Sequence, residues 1–272
     1  MPIDYNFFVH PQDKAALNAL QSIPMFDTVV KTYLKFFDER EMHGINMATK
    51  IKLGPDQLPE IYNTLPETCS VLGIREPEFF LEMNPNPNAY TFGDTNPFVV
   101  VNSGLIELLK PDEVKAVIAH ECGHILCRHV LYHSIGMILL NLGSMGAGAI
   151  LGGLSDLALA PVIWAFMYWM RRSELSCDRV AAYVMGDSGC VMRTMMRLSG
   201  GSARITEKVN MALYEQQAKE YFASLDESKF NKVLQAWAIK DQDHPFPAVR
   251  CHEVKQWFEE KRGALPNRIQ IK

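Results

Sequence analysis

The sequence lacks the features that mark several large classes of protein. Its 272 residues contain six cysteines, but no CxxC pair and none of the dense cysteine spacing that staples small secreted domains. Reduced thiols in a cytoplasmic protein are therefore expected. Lysine and arginine number 27 against 31 acidic residues, which gives a net charge of -4. Because nucleic-acid binders usually carry a basic surplus, we expect no nucleic-acid partner.

Targeting signals and repeats are lacking as well. Residues 1–17 contain no basic segment followed by an apolar core, so no signal peptide is expected. No internal repeat, low-complexity tract or free linker interrupts the chain. We therefore predict one main domain over residues 55–262, with a helical extension over 1–54 before it and a tail over 263–272 after it.

Apolar residues at helical spacing predict that most of the chain is α-helical. Amphipathic helices are predicted over residues 11–22 and 25–41. A third is predicted over residues 58–72, where Pro66 could introduce a break and Gly73 marks the expected end.

Strand signals are confined to a short region after these helices. Residues 78–84 form a strand candidate, and the β-branched run within 97–104 is the strongest strand signal in the chain. Residues 85–93, between the two, are rich in turn formers. The expected fold class is α+β, mainly α, with a small sheet that has an exposed edge.

The chemistry-bearing stretch of the sequence is AVIAHECGHILCRH, residues 116–129. It lies inside a long helix predicted over residues 110–134. Residues four apart on a helix differ by about 40° around its axis, so His120 and His124 share a face and could bind one metal ion. Glu121 is turned by about 100°, which suits a general base better than a ligand. An accidental match on a histidine-rich helix is the alternative.

His129 and His133 repeat the four-residue spacing without a neighbouring acid. If the same helix continues, they lie about 180° and 220° around it from His120. We therefore expect them to face away from the metal as surface or packing residues, and we expect no second zinc site.

A tetrahedral zinc site needs a third protein ligand from elsewhere in the chain. The stretch RRSELSCDRV, residues 171–180, offers Glu174 and Asp178 on one face of a second predicted helix. Glu174 could bind the metal, while Asp178 accepts a hydrogen bond from the outer nitrogen of a ligating histidine. The alternative is a charged helix face on which neighbouring arginines are the partners.

The joint pattern, HExxH on one helix and ExxxD on the next, resembles the gluzincin metallopeptidases of family M48, which include the HtpX protease and the CAAX prenyl protease. Residues 58–74, 87–109 and 243–250 also resemble parts of that family. The resemblance implies a compact zincin-like catalytic domain with two long zinc-binding helices and extra helices at both ends.

The resemblance also implies roles for individual residues. One zinc ion per chain would be held by His120, His124 and Glu174, with Glu121 as the base and Asp178 supporting a ligand. In the late element DHPFPAVR, residues 243–250, His244 or Arg250 could donate to the oxyanion. His244 could instead plug the open zinc position, or be a simple turn residue before proline.

A peptide or an unfolded protein is the expected substrate. An edge strand around Phe98, Val99 and Val100 could hold it by adding a strand. Asn88 and Ala89 belong to the Asn-Ala element of the resemblance and are predicted to bind substrate as well.

The region between the two zinc helices, residues 135–170, is apolar enough to raise the question of a membrane. Residues 135–154 carry no charge but contain six glycines, and residues 157–170 are shorter than the ~20 needed for a span. We favour a helical hairpin packed in the protein core and a cytoplasmic location. Membrane association through this hairpin, at an inner membrane, is the alternative.

The expected function is therefore a zinc metalloendopeptidase. The alternatives are a latent enzyme, with His244 on the metal, and a zinc-stabilised interaction or chaperone-like protein without catalysis. Glu121 favours the enzyme, because a purely structural site has no use for a base beside its ligand.

Overall fold

The computed structural model describes residues 3–143, 156–226 and 247–266. Most of these residues are helical. The main helices are α1 (Pro11–Gln21), α2 (Phe26–Phe36), α3 (Glu39–Thr49), α4 (Pro59–Tyr62), α5 (Thr64–Leu72), α6 (Ser103–Leu108), α7 (Pro111–Leu126), α8 (Val130–Gly143), α9 (Asp156–Met185), α10 (Ser188–Gly200), α11 (Ala203–Thr206), α12 (Met211–Asp226) and α13 (Pro247–Lys261). The strands are β1 (Ile51–Lys52), β2 (Glu78–Glu82), β3 (Ala89–Phe92) and β4 (Phe98–Asn102). This is the mainly α member of the α+β class that was predicted.

The N-terminal region differs from its prediction in two ways. The single helix expected over 25–41 is wrong, because α2 ends at Phe36 and Asp38 starts α3 by accepting a hydrogen bond from Arg40 N over 2.9 Å. The region is also more than a helical extension, because β1 pairs with β2 and joins the sheet.

The helix predicted over 58–72 is divided at Asn63, not at Pro66. Pro66 lies in the first turn of α5, where proline is tolerated because the early N–H groups of a helix have no partner in the helix. The predicted end is confirmed, since Gly73 adopts a left-handed conformation at φ 66°.

The four strands form one sheet in the order β1-β2-β4-β3. β4 is parallel to β2 and antiparallel to β3, so it lies inside the sheet with all five of its residues buried. The prediction that Phe98, Val99 and Val100 form an edge strand is therefore wrong. The segment 85–93, expected to be turns, contains β3, and β3 is the sheet edge on that side within the described residues.

Helix α7 begins as predicted, with Pro111 in its first turn and the Glu113 carboxylate accepting a hydrogen bond from Lys110 N over 2.8 Å. It ends at Leu126, eight residues before the predicted end at 134. Arg128 is left-handed, at φ 62°, and turns the chain into α8. Every angle expected for His129 and His133 on a continuous helix is therefore wrong.

Helix α9 carries both the second half of the apolar region and the second predicted metal helix. It packs against α7 closely enough that a β-carbon on Gly123 would lie 3.0 Å from Cys177 Cα. Leu20 of α1 and Phe26 and Val29 of α2 cover Ile135 of α8 and Phe166 of α9 in one buried cluster. The described part of the hairpin thus packs against the N-terminal helices.

No helix within the described ranges has both the length and the apolar character that crossing a bilayer requires.

Candidate metal centre

Three predicted ligands converge between α7 and α9. His120 Nε2 lies 3.2 Å from Glu174 Oε2, and His124 Nε2 lies 3.4 Å from Glu174 Oε1. All three side chains are buried. Ligand atoms on tetrahedral zinc with bonds of ~2.0–2.1 Å stand about 3.3 Å apart, so these separations and this donor set fit a zinc ion.

Asp178 and Arg250 contact these predicted ligands and hold them in place. Asp178 Oδ1 lies 3.0 Å from His120 Nδ1, which is the contact predicted for this acid. Arg250, on α13, donates to the two oxygens of Asp178 over 2.6 and 2.8 Å, and its Nη1 lies 3.2 Å from Glu174 Oε2. The outer nitrogen of His120 is thus held so that Nε2 is presented to the metal position.

The charges of this cluster are strongly coupled. Burial lowers the pKa of His120, but the carboxylates of Glu174 and Asp178 outweigh burial and raise that pKa to about 10. Burial also raises the pKa of Asp178, and the nearby Arg250 guanidinium reverses this and lowers it. For His124, burial prevails and lowers the pKa. A divalent cation would take over the charge that the proton on His120 supplies here, and would release that proton.

Glu121 is buried next to the ligands, and Thr91 fixes its orientation. The Thr91 hydroxyl donates to Glu121 Oε2 over 2.8 Å and also lies 3.2 Å from the Glu121 backbone oxygen. Thr91 was missed at the sequence level because its strand was taken as a turn. Period-two alternation from Ala89 on β3 would have pointed to it.

In the described part of the chain, two trios of donors have single ligand atoms that all lie within 4.8 Å of one another. One is His120, His124 and Cys177, and the other is His124, His133 and Glu174. Neither is the predicted trio, in which Glu174 presents a different oxygen to each histidine. Burial raises the pKa of the Cys177 thiol, so the metal would have to displace its proton in order to bind it.

His133 contradicts the expectation that it faces away from the metal. Its ring lies 4.3 Å from that of His124, centre to centre, and both His129 and His133 are buried. The cause is the early end of α7. His133 Nε2 is 2.6 Å from Ser173 Oγ, so this nitrogen is occupied by a hydrogen bond. We therefore favour His120, His124 and Glu174 as the metal ligands.

The family of the chain follows from comparison with known proteins. The model of Peptidase family M48 matches residues 56–258. The chain belongs to this family.

Similar M48 proteins include a plastoglobule-localized metallopeptidase 48 of Arabidopsis thaliana, which is 30% identical over 94% of this chain and 73% of its own length. A protease HtpX homolog of Thermoplasma acidophilum is 30% identical over 75% of this chain and 76% of its own length. Another, from Moorella thermoacetica, is 26% identical over 78% of this chain and 77% of its own. No solved structure matches the chain.

Membership of M48 makes the chain a metallopeptidase, as predicted. A cavity of about 220 Å³ opens beside the candidate metal centre of this M48 protein. His120, Glu121 and Arg250 line its polar side, and Asn88 and Ala89 line it next to β3. The rest is mostly apolar and includes Leu105, Val117, Val191, Met195 and Leu198.

The remaining predicted residues have different outcomes. Phe98, Val99 and Val100 are absent from the lining of this cavity, as their interior strand requires. Arg250 is close to the centre, but its bonds to Asp178 and Glu174 favour a positioning role over the predicted oxyanion donor. His244 lies outside the described residues, so its predicted role stays a prediction.

Proposed function

We propose that this M48 metallopeptidase is a zinc endopeptidase in which His120, His124 and Glu174 hold the metal and Glu121 is the general base. The observation that carries this proposal is the convergence of both histidine Nε2 atoms on the Glu174 carboxylate, next to Glu121 and a cavity of about 220 Å³. When bound, zinc supplies Lewis acidity, which polarises a carbonyl and lowers the pKa of a water towards ~7.

Glu121 moves the protons in this proposal. Its carboxylate accepts a proton from the attacking water and then delivers it to the nitrogen of the leaving amine. Thr91 already donates to Oε2, so Oε1 is the oxygen we assign to that transfer. The surrounding apolar side chains limit the water that competes for the same carboxylate.

We further propose that the substrate is an extended peptide or an unfolded protein that pairs with β3. β3 has a partner strand on one side only within the described residues, and its residue Ala89 lines the cavity. Backbone pairing of this kind recognises an extended chain with little regard to its sequence. The apolar cavity then favours an apolar side chain next to the scissile bond.

A cytoplasmic location is part of the proposal. Two observations support it, namely that all six cysteines are free and buried, and that the N-terminal helices pack against buried residues of the described part of the apolar hairpin. Cell fractionation followed by carbonate extraction tests it. Recovery of the chain from carbonate-resistant membranes would contradict this location.

The proposed function is tested by metal analysis together with proteolysis of denatured casein. One zinc per chain is expected, and removal by a chelator followed by zinc addition should abolish and restore cleavage. Glu121→Gln should keep its zinc and lose nearly all activity, because it removes the base and no ligand. Glu107→Gln, the same change at an exposed position of α6, is the control. Cleavage by Glu121→Gln at the wild-type rate would contradict the proposal.

A further inference from the structure

His129 is held against His124 by the way α7 ends. With Arg128 left-handed, His129 N donates to the backbone oxygen of His124 over 2.9 Å, which is the six-residue hydrogen bond of a Schellman motif. This motif usually brings two apolar side chains together. Here it brings together two imidazoles, whose Nδ1 atoms lie 3.4 Å apart.

The other side of the His129 ring contacts an acid from the N-terminal region. His129 Nε2 lies 3.1 Å from Oδ2 of Asp13, on α1. Asp13 is almost fully buried and also accepts hydrogen bonds from Trp169 Nε1, over 2.9 Å, and from Ser176 Oγ, over 2.5 Å. Three donors therefore fix the carboxylate, and its position in turn restrains the His129 ring.

The proton positions along this chain of contacts follow from the chemistry of imidazole. When His124 binds a metal through Nε2, its Nδ1 carries the hydrogen and needs an acceptor. His129 Nδ1 can be that acceptor only if its own hydrogen is on Nε2. That Nε2–H points at Asp13, which accepts it. The separation of 3.4 Å between the imidazoles is long for a hydrogen bond, so the Asp13–His129 contact has to hold the acceptor in place.

We propose that Asp13 and His129 are positioning residues for the metal ligand His124, as Asp178 is for His120. The inference rests on the proposed function in one respect, namely that His124 binds the metal. It requires that His124 binds through Nε2, the nitrogen that lies 3.4 Å from Glu174 Oε1. Asp13 lies outside the M48 match at 56–258, so the N-terminal region of this chain takes part in building the centre.

Packing is the competing explanation for His129. Its ring meets the edge of the Trp169 ring at 5.7 Å, and its Nδ1 also lies 3.6 Å from Cys177 Sγ. A packing residue needs a ring of the right size and no particular tautomer, whereas a positioning residue needs hydrogen on Nε2. The two explanations therefore predict different zinc affinities for a His129 variant that keeps an aromatic ring and for an Asp13 variant that keeps the shape of the side chain.

The decisive experiment measures zinc affinity by competition with a chelating dye, in the full chain. Asp13→Asn keeps the shape of the acid but places an amide N–H₂ group among three donors. The His129 tautomer should then switch, leaving two N–H groups facing each other between the histidines. We expect zinc to bind 10–100-fold more weakly, the usual loss for a group that supports a ligating histidine.

Glu113→Gln is the matched control, because Glu113 is another buried acid, paired with Arg197 over 2.6 Å, that contacts none of the histidines named above. It should lower stability and leave zinc affinity within about twofold of wild type. His129→Phe keeps an aromatic ring and removes the acceptor, so it should weaken zinc binding as Asp13→Asn does. If Asp13→Asn does not fold, His129→Phe still distinguishes a positioning role for His129 from a packing role.

Nitrogen-15 spectra of the histidine side chains supply a readout other than affinity. In the zinc-loaded wild type, His129 should carry its proton on Nε2, and in Asp13→Asn on Nδ1. Wild-type zinc affinity in both Asp13→Asn and His129→Phe would overturn the inference and leave the proposed function standing. A wild-type chain that binds no zinc would overturn both.

Discussion

At the scale of single residues, the described side chains around the metal centre are oriented by hydrogen bonds from other elements. Thr91 of β3 donates to Glu121 over 2.8 Å, and Arg250 of α13 binds Asp178 and Glu174. Each contact joins residues far apart in the chain. The fold therefore orients these side chains in advance, so little reorganisation is needed during the reaction.

The Thr91 hydrogen bond predicts a modest effect on rate. Thr91→Val keeps the volume and removes the donor, so Glu121 is oriented less well. A hydrogen bond of this kind contributes about 0.5–1.5 kcal/mol, so we expect kcat to fall about 3- to 10-fold. Steady-state kinetics measure this, zinc content should not change, and Thr91→Ser should recover most of the rate. Equal rates for Val and Ser variants would contradict the role.

The Arg250 contacts predict a large effect on stability. Arg250→Met removes the cation from two buried carboxylates, which should lower the free energy of unfolding by about 3–5 kcal/mol. Urea unfolding of the metal-free protein measures this, since a bound cation would offset the loss.

Arg193→Met is the control for Arg250→Met, because Arg193 pairs with Asp187 over 3.8 Å at an exposed position. This variant should lower the free energy of unfolding by no more than about 1 kcal/mol. Similar losses for the two variants would show that Arg250 is not the structural cation of the centre.

At the scale of elements, the close approach of α7 to α9 sets the distance between the proposed metal ligands. Gly123 makes this approach possible, because a β-carbon there would meet Cys177 Cα at 3.0 Å and Val180 Cβ at 3.2 Å. Both neighbours belong to the buried interior of α9, which has little room to adjust.

Gly123→Ala should therefore separate the two helices. We expect a loss of about 1–3 kcal/mol in the free energy of unfolding, the typical cost of overpacking, despite the better helix propensity of alanine. Zinc affinity should fall as well, since His120 and His124 move away from Glu174. Gly263→Ala, where a β-carbon meets nothing within 4 Å, is the control. A Gly123→Ala protein with wild-type zinc affinity would contradict this account.

The proposed pairing of substrate with β3 predicts an alternating pattern. Asn102 N donates to Asn88 O, so in the antiparallel register Asn88 and Tyr90 point their backbone groups at β4, while Ala89 and Thr91 point theirs at the open side. Peptide substrates N-methylated at successive positions should lose about 3- to 10-fold in kcat/KM at alternate residues only. Equal losses at all positions would exclude strand pairing.

Much of the fold and of the candidate site could be predicted from local sequence. The predictions that failed depend on backbone conformation or tertiary packing that local sequence does not indicate. His120, Glu121 and His124 depend only on helical periodicity, and Pro111 fixes where that helix starts. Where α7 ends was missed because the end depends on a left-handed arginine, a conformation that sequence rarely indicates for residues other than glycine and asparagine.

The error at β3 and β4 has a similar origin. Turn formers before Ala89 hid a strand, and the apolar run from Phe98 to Val101 is as compatible with an interior strand as with an edge. Asp13 could not be predicted as a partner of His129, since only the tertiary fold brings α1 to that position.

At the scale of the whole molecule, the N-terminal region and the M48 region share their cores. Phe8 packs in the same buried cluster as Tyr183 and Trp257, and Leu20 packs with Phe166 and Trp169. The predicted boundary between an extension and a domain at residue 54 remains untested, but the packing indicates one cooperative unit.

This shared packing predicts a single unfolding transition. Far-ultraviolet circular dichroism and tryptophan fluorescence should give the same urea midpoint. Leu20→Ala should lower the free energy of unfolding by about 2–5 kcal/mol and should move both midpoints together. Leu34→Ala, at a half-exposed position of the neighbouring helix α2, should change stability far less. Two separate midpoints, with only one moved by Leu20→Ala, would show that the N-terminal region folds independently.

Helix α9 gives the molecule a mechanical property. Its 30 residues, Asp156–Met185, would span about 45 Å as a straight helix, with Pro161 in the apolar half and Glu174 and Asp178 in the other half. Its closest contact with α7 is at Gly123, which faces Cys177 and Val180, and Cys177 lies between Glu174 and Asp178 in the sequence. A tilt of the far end therefore moves the two carboxylates little, because they lie only about 4.5 and 1.5 Å along the axis from Cys177, and the spacing of the proposed metal ligands is insulated from motion in the apolar hairpin.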